Sequence, residues 1–388
     1  MRGLSERTIL SQPSWVLTSD CVEMAVTHLG AHMAPVRFAC ETEQPLQPYY
    51  ISPWQGENFQ LEGAWSEVPL RGDFFCMPFG TDRDSARTER HPSHGETSGA
   101  LWSLFRAAEV CGMQTLAIGL TTEARTGKVK RIFSLVDGEN AIYDCTTIWG
   151  FAGPTTIAHH AVLRSPEVER GMLLSNNGIQ FAMVYPQAFG DSAAGEYQSL
   201  EIGAEFRTLE RVPSIFKHLG KQDCSSWPAR RGFSDLLQIA NAVNQSPAWT
   251  VAVNTVEGYL WFALKDVRTL PSTIIWMDNH GRHCLPWQGR NCALGLEDGC
   301  TFFDRGISES NRANAFSLRG VKTCHELEGQ AFEVRYIQGL VRCPTGFGRV
   351  LKVEFQGRQA EFFDASGRKV STAVQPGFLL GDALQAAG

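Results

Sequence analysis

Thr115-Leu116-Ala117-Ile118-Gly119-Leu120-Thr121-Thr122, then Val129-Lys130-Arg131-Ile132-Phe133-Ser134-Leu135-Val136, then Ala141-Ile142-Tyr143-Asp144-Cys145-Thr146-Thr147-Ile148-Trp149 decide the fold class. Each run is strand-length and apolar on one face, and Thr126-Gly127 and Asp137-Gly138 stand between the runs as turn signals. Three such strands in succession make an antiparallel meander. The same reading, carried outward, predicts strands around Trp15-Val16-Leu17, Val22 to Val26, Gly30 to Phe38, Thr155 to Leu163, Gln180 to Tyr185, Trp249 to Asn254, Tyr259 to Leu264 and Thr273 to Met277. Further strands follow at Phe332 to Ile337, Val350 to Phe355 and Ala360 to Phe363. One helix is predicted, Ser234 to Val243, with Ser234 as N-cap and Leu236, Leu237, Ala240 and Val243 at helical spacing. Many strands with almost no strand-helix alternation imply an all-β antiparallel architecture with few short helices. With no repeat and no linker, the chain reads as a single domain over 1–388.

Composition narrows the function classes. The 388 residues are 43% hydrophobic and 20% charged, which suits a soluble globular protein and not a disordered one. A net charge of -6 gives no basic field for a phosphate backbone, so nucleic acid is a poor partner. Eleven cysteines without a Cys-x-x-Cys pair read as reduced, buried thiols. Met1 to Arg7 lacks an apolar leader core, and no apolar run approaches membrane-spanning length. The expectation is a cytoplasmic protein without membrane association.

Chemistry gathers in four places. Ala293-Leu294-Gly295-Leu296-Glu297-Asp298-Gly299 reads as a short strand with Glu297 near its end, stopped by an Asp-Gly turn. A carboxylate held on a rigid element and partly desolvated suits general base work. Arg71-Gly72-Asp73 precedes an aromatic run, and His94-Gly95 precedes Trp102. His159-His160 lies in the strand after Gly153-Pro154. An arginine fork can hold a hydroxyl or carboxylate, and a histidine readily exchanges a proton near neutral pH. The polar stretch 69–102, with Asp73, Arg83, Arg87, Arg90, His91 and Glu96, is a long irregular segment of the kind that carries function.

In order and spacing these motifs resemble the aldose 1-epimerase (galactose mutarotase) superfamily, on the branch near the hexose-6-phosphate mutarotases. Leu70 to Gly80 is similar to the family's Arg-Gly-Gly segment leading to an aromatic-proline-aromatic-glycine stretch. Ser93-His94-Gly95 with Trp102 is similar to its His-Gly segment. Pro154 to Leu163 resembles the strand ending in Asn-His, which puts His160 on the catalytic histidine, and Ala293 to Gly299 resembles the strand of the catalytic glutamate, Glu297. The resemblance spans about 25–340 and implies a large antiparallel β-supersandwich.

It further implies a carbohydrate-active isomerase that interconverts sugar anomers by acid-base ring opening, with no cofactor and no metal. Glu297 would take the anomeric hydroxyl proton and His160 would serve the ring oxygen. Arg71 and His94 would hold ring hydroxyls, Trp102 or Trp276 would face the sugar, and an aspartate, Asp235 or Asp223, would bind substrate. The chain departs from the pattern at His159, where the family has asparagine. It departs again at Glu96, where the phosphosugar branch tends to carry arginine; a carboxylate there would favour an unphosphorylated aldose. The alternative class is a non-catalytic carbohydrate-binding protein of the same fold.

Other constellations read as less specific. Asn279-His280-Gly281-Arg282-His283-Cys284 and His91-x-x-His94 lack the ligand spacing of closed zinc sites, and the former is expected as a polar loop on the cleft rim. No carboxylate pair marks a glycosidase, and Cys76 and Cys292 read as packing. Arg349 to Gln356 and Gln359 to Asp364 predict a C-terminal hairpin that covers a sheet edge; the tail leaves a homodimer open.

Overall fold

The structure, a computed structural model, describes residues 3–57, 65–81, 89–242 and 247–386. Arg83, Arg87 and Val243 of the expectations above lie outside the described residues. Two large antiparallel sheets stack face to face. The nine-stranded sheet contains the meander as the adjacent strands Met113–Thr122, Gly127–Val136 and Ala141–Trp149, and continues through Phe332–Arg342, Tyr259–Lys265 and Ala248–Asn254. The seven-stranded sheet runs in the order Glu205–Phe206, Phe181–Val184, Phe233–Ala240, Ser272–Asn279, Cys292–Cys300, Ile157–Arg164, Phe75–Cys76.

Both faces of the seven-stranded sheet are covered, and the period of two divides its residues between them. Leu163, Leu237, Ile275, Leu294 and Leu296 point to the nine-stranded sheet and pack with Leu116, Phe133 and Trp261. Burying each such side chain contributes about 1.5–3 kcal/mol. Val162, Leu236, Ile274, Trp276 and Ala293 point the other way, into a second apolar cluster beneath the connecting loops.

Between the sheets the apolar core also carries charge. Arg131 Nη2 lies 2.5 Å from Asp144 Oδ2, and His159 Nδ1 lies 3.1 Å from Asp73 Oδ2. Lys265 Nζ donates to Asp298 Oδ1 at 2.5 Å, and the Tyr336 hydroxyl donates to Asp298 Oδ2 at 2.7 Å. All of these side chains are buried, and each charge meets an opposite one, as buried charges must.

The structure corrects four expectations. Ser234 to Val243 is no helix: Phe233–Ala240 is a strand paired with Ser272–Asn279, Ser234 opposite Asp278 and Ala240 opposite Ser272. With both faces buried, apolar residues fall on both sides, and the spacing of Leu236, Leu237 and Ala240 then also fits a helix. The α-helix among the described residues is instead Gly306–Asn311. The glutamate strand does not stop at Asp298-Gly299; it runs on to Cys300, with Asp298 opposite His159. Thr155 to Leu163 divides into Ala152–Thr155, paired with His325–Glu328, and Ile157–Arg164.

The fourth correction concerns the tail. Val350–Gln356, Gln359–Asp364 and Lys369–Ala373 form a three-stranded sheet, so the hairpin is present. It covers a face and not an edge: Phe362 lies 5.1 Å from Phe262, and Val374 and Phe378 join Val251, Leu260 and Leu264 in one cluster. Those residues of the nine-stranded sheet would otherwise present an apolar face to water. No helix among the described residues is long and apolar enough to cross a membrane, and all eleven cysteines are unpaired.

Candidate active site

Register creates the site. In the paired strands Ile157–Arg164 and Cys292–Cys300, His160 stands directly opposite Glu297, so both side chains leave the sheet on the same face. His160 Nε2 lies 3.4 Å from Glu297 Oε1. Gly295, two residues earlier on that face, leaves the space Glu297 uses: a Cβ there would come 2.6 Å from Glu297 Oε1 and 3.0 Å from the Trp276 Cβ. Phe74 stacks on the imidazole of His160 at 4.5 Å, and His94 meets it edge-on at 5.2 Å.

Above the pair opens a cavity of about 230 Å³, lined by Glu297, His160, His94, Trp276, Trp287 and Asp304 among others. Trp276 and Trp287 meet at 5.4 Å, and the Arg282 guanidinium lies over Trp287 at 5.3 Å. Trp276 Nε1, His160 Nδ1, His94 Nδ1 and Asp304 Oδ1 are buried without a hydrogen-bond partner. Unsatisfied donors and acceptors around an aromatic-walled cavity suit a small ligand rich in hydroxyls.

Electrostatics set the resting state of the pair. Burial, with a smaller push from the Asp304 charge, raises the pKa of Glu297 well above the usual carboxyl range. Burial, aided by His94 and His32, lowers that of His160 well below the usual imidazole range. Burial thus works against the charged form of both groups. His94 is lowered by burial, against the opposing fields of Glu67 and Asp304.

Neither a protein-family model nor any curated protein matches the sequence. Solved structures do match in shape. A galactose mutarotase-like protein from Clostridium acetobutylicum superposes with a TM-score of 0.58 at 12% identity, covering 87% of this chain and 98% of that one. A galactose mutarotase related enzyme from Lactobacillus acidophilus gives 0.54 at 12% identity, covering 86% and 98%. The chain has the galactose mutarotase fold.

Within the galactose mutarotase fold, the expected site residues separate into two groups. Glu297, His160, His94 and Trp276 line one cavity. Arg71, Asp235 and Trp102 do not. Arg71 is fully buried and donates to Ile9 O at 3.0 Å and Leu10 O at 2.9 Å, with a further bond to Gln55 Oε1, so it clamps the turn of the N-terminal hairpin. Asp235 faces away from the neighbouring Leu236 and accepts from Ser199 N at 2.8 Å, Ser199 Oγ at 2.7 Å and Leu200 N at 3.0 Å. Trp102 packs in the core between the sheets, its Nε1 donating to Thr97 O. Asp223 caps its own turn through Ser225 and pairs with Arg170 at 3.1 Å.

Glu96 also lies elsewhere. Its carboxylate accepts from Glu123 N and Ala124 N, away from the cavity, so it cannot be the group that repels a phosphate. Sequence reasoning missed Glu67, Tyr185, Phe189, Trp287 and Asp304, all in the cavity wall. Arg282, also in the wall, had a signal, the polar loop expected on the cleft rim. Asp73, Asp144 and His159 offer metal-ligand atoms within 4.8 Å of one another, but the Arg131 guanidinium occupies the same cluster and already neutralises its carboxylates.

Proposed function

We propose that the cavity binds an unphosphorylated aldose and interconverts its anomers, with Glu297 and His160 moving the protons. The observation that carries this reading is the 3.4 Å approach of the two groups on one face of the sheet, at the floor of an aromatic-walled cavity. Anomer exchange needs one group to take the proton of the anomeric hydroxyl while another gives a proton to the ring oxygen. The ring then opens, the C1–C2 bond rotates, and the ring closes on the other face. A pair that shares one proton can supply both acts, and each contributes about 10²–10⁴-fold. Glu67 and Asp304 stand in the wall against the single cation Arg282 among the described lining residues, and Glu196 stands 3.8 Å from that cation. This balance of charge favours a neutral sugar over a phosphorylated one.

Exchange NMR on a panel of free aldoses, hexose phosphates and uronic acids tests the reading. Accelerated anomer exchange is the expected result. Glu297→Gln and His160→Asn should each slow it by about 10²-fold or more while the sugar still broadens on binding; wild-type rates in either variant would remove the assigned roles.

A second reading is a protein that binds carbohydrate without chemistry. One feature favours it: burial works against the charged forms of both Glu297 and His160, which a base and an acid would pass through. Binding without faster exchange of any sugar in the panel would select it.

A further inference from the structure

Asp304 is a cavity residue whose backbone is tied down on both sides. It sits in the loop between the glutamate strand and the helix Gly306–Asn311, where Phe303 takes a φ of 47°. Gln238, fully buried, ties that loop at two points, donating from Nε2 to Thr301 O at 2.8 Å and accepting at Oε1 from Phe303 N at 2.7 Å. Ser310 Oγ accepts from Phe302 N at 3.0 Å. On the far side, Asp304 O accepts from Thr81 N at 2.9 Å, and the segment before it approaches so closely that a Cβ on Gly80 would lie 2.4 Å from that carbonyl.

All of these bonds use the backbone; the carboxylate lies in the cavity wall, within hydrogen-bonding reach of the Tyr185 hydroxyl. Its Oδ1 is buried and has no hydrogen-bond partner. A buried acceptor in that state is costly unless a ligand donor completes it. The same charge acts on the Glu297 carboxyl, on His94 and on the Tyr185 hydroxyl, so it stands at the centre of the wall's titratable groups.

We propose that Asp304 is the substrate-positioning carboxylate of this site: its buried Oδ1 receives a sugar hydroxyl, and its charge makes the cavity discriminate against anionic sugars. The sequence resemblance offered such a role to Asp235 or Asp223, of which the first is held by Ser199 and Leu200 and the second by Ser225 and Arg170. The inference rests on the aldose reading above and adds the group that selects among sugars.

The test compares wild type with Asp304→Asn and Asp304→Ala in anomer exchange and in NMR binding titrations, using the neutral aldose that wild type turns over or binds best and the uronic acid of the same configuration. Since Asp304 holds the fold through its backbone carbonyl, both variants should melt with wild-type cooperativity. Loss of a charge-assisted hydrogen bond should raise KM or Kd for the neutral aldose by about 10- to 100-fold, with the loss falling on KM more than on kcat. The preference for the neutral sugar over its uronic acid should shrink by about tenfold or more. Wild-type KM and wild-type discrimination in both variants would overturn the inference while leaving the aldose reading intact. A wild-type protein that neither binds nor exchanges any sugar would overturn both.

Discussion

At the scale of single residues, the site depends on what is absent at position 295. Glu297 and Trp276 occupy space that any side chain there would contest. Gly295→Ala should therefore push the carboxyl off its line to His160 and slow anomer exchange by about tenfold or more, at a stability cost of about 1–3 kcal/mol typical of overpacking. Exchange NMR together with urea unfolding would check both numbers, and wild-type exchange would show that the carboxyl has room to spare. The signal for this residue was present in the sequence only as alternation. That Gly295 and Glu297 share a face was legible from the period of two; that the face is crowded by a tryptophan of the next strand was not, because cross-strand neighbours are set by register.

At the scale of elements, Arg71 illustrates how a motif can be matched and still perform another task. Its guanidinium satisfies the carbonyls of Ile9 and Leu10 at the hairpin between Gly3–Ile9 and Gln12–Thr18, where Leu10 and Ser11 both take positive φ. Arg71→Met should leave those carbonyls without a donor and destabilise the protein by about 2–4 kcal/mol. Amide exchange over 3–18 should rise while KM for the aldose stays within about twofold. A large KM change with an intact hairpin would return Arg71 to the cavity.

The strands themselves were the legible part of the chain. The meander strand Ala141–Trp149 and the tail hairpin follow directly from alternation and turn residues. Phe233–Ala240 reads as a helix in the sequence because a strand buried on both faces loses the alternation that identifies it. Asp235 went with it: once the element is a strand, Leu236 takes the cavity face and Asp235 the opposite one. Asp304 lies in a loop whose aim is fixed by Gln238 and Thr81, and Glu67 ends the short 3-10 turn Trp65–Glu67; no local pattern announces their place in the wall.

At the scale of the whole molecule, buried histidines should govern the response to acid. Burial lowers His32 to about 3 and His325 to about 4, and also lowers His91, His94 and His160. Each binds its proton less readily in the folded protein than in the unfolded chain, which gains one below about pH 6.5, so each removes stability as pH falls through that window. Glu297 and Asp278, raised by burial, act in the opposite sense, because the folded state already holds the proton that the unfolded carboxylate lacks. The histidines outnumber the acids, and stability should fall between pH 6.5 and 5 by about 1.4 kcal/mol per pH unit for each uncompensated proton. Urea unfolding at pH 7, 6 and 5 measures this; a flat or rising profile would mean that the acids dominate.

The two central strands carry their polar residues in adjacent pairs, His159-His160 opposite Asp298-Glu297. One member of each pair faces the cavity and the other faces the charged network between the sheets. A one-residue insertion or deletion in either strand would exchange the two sets, sending His160 or Glu297 into the core and unpairing Asp73 or Lys265. Within these strands a lineage can therefore explore new chemistry by substitution alone. Changes in length are confined to the surrounding segments that present Glu67, Arg282 and Asp304.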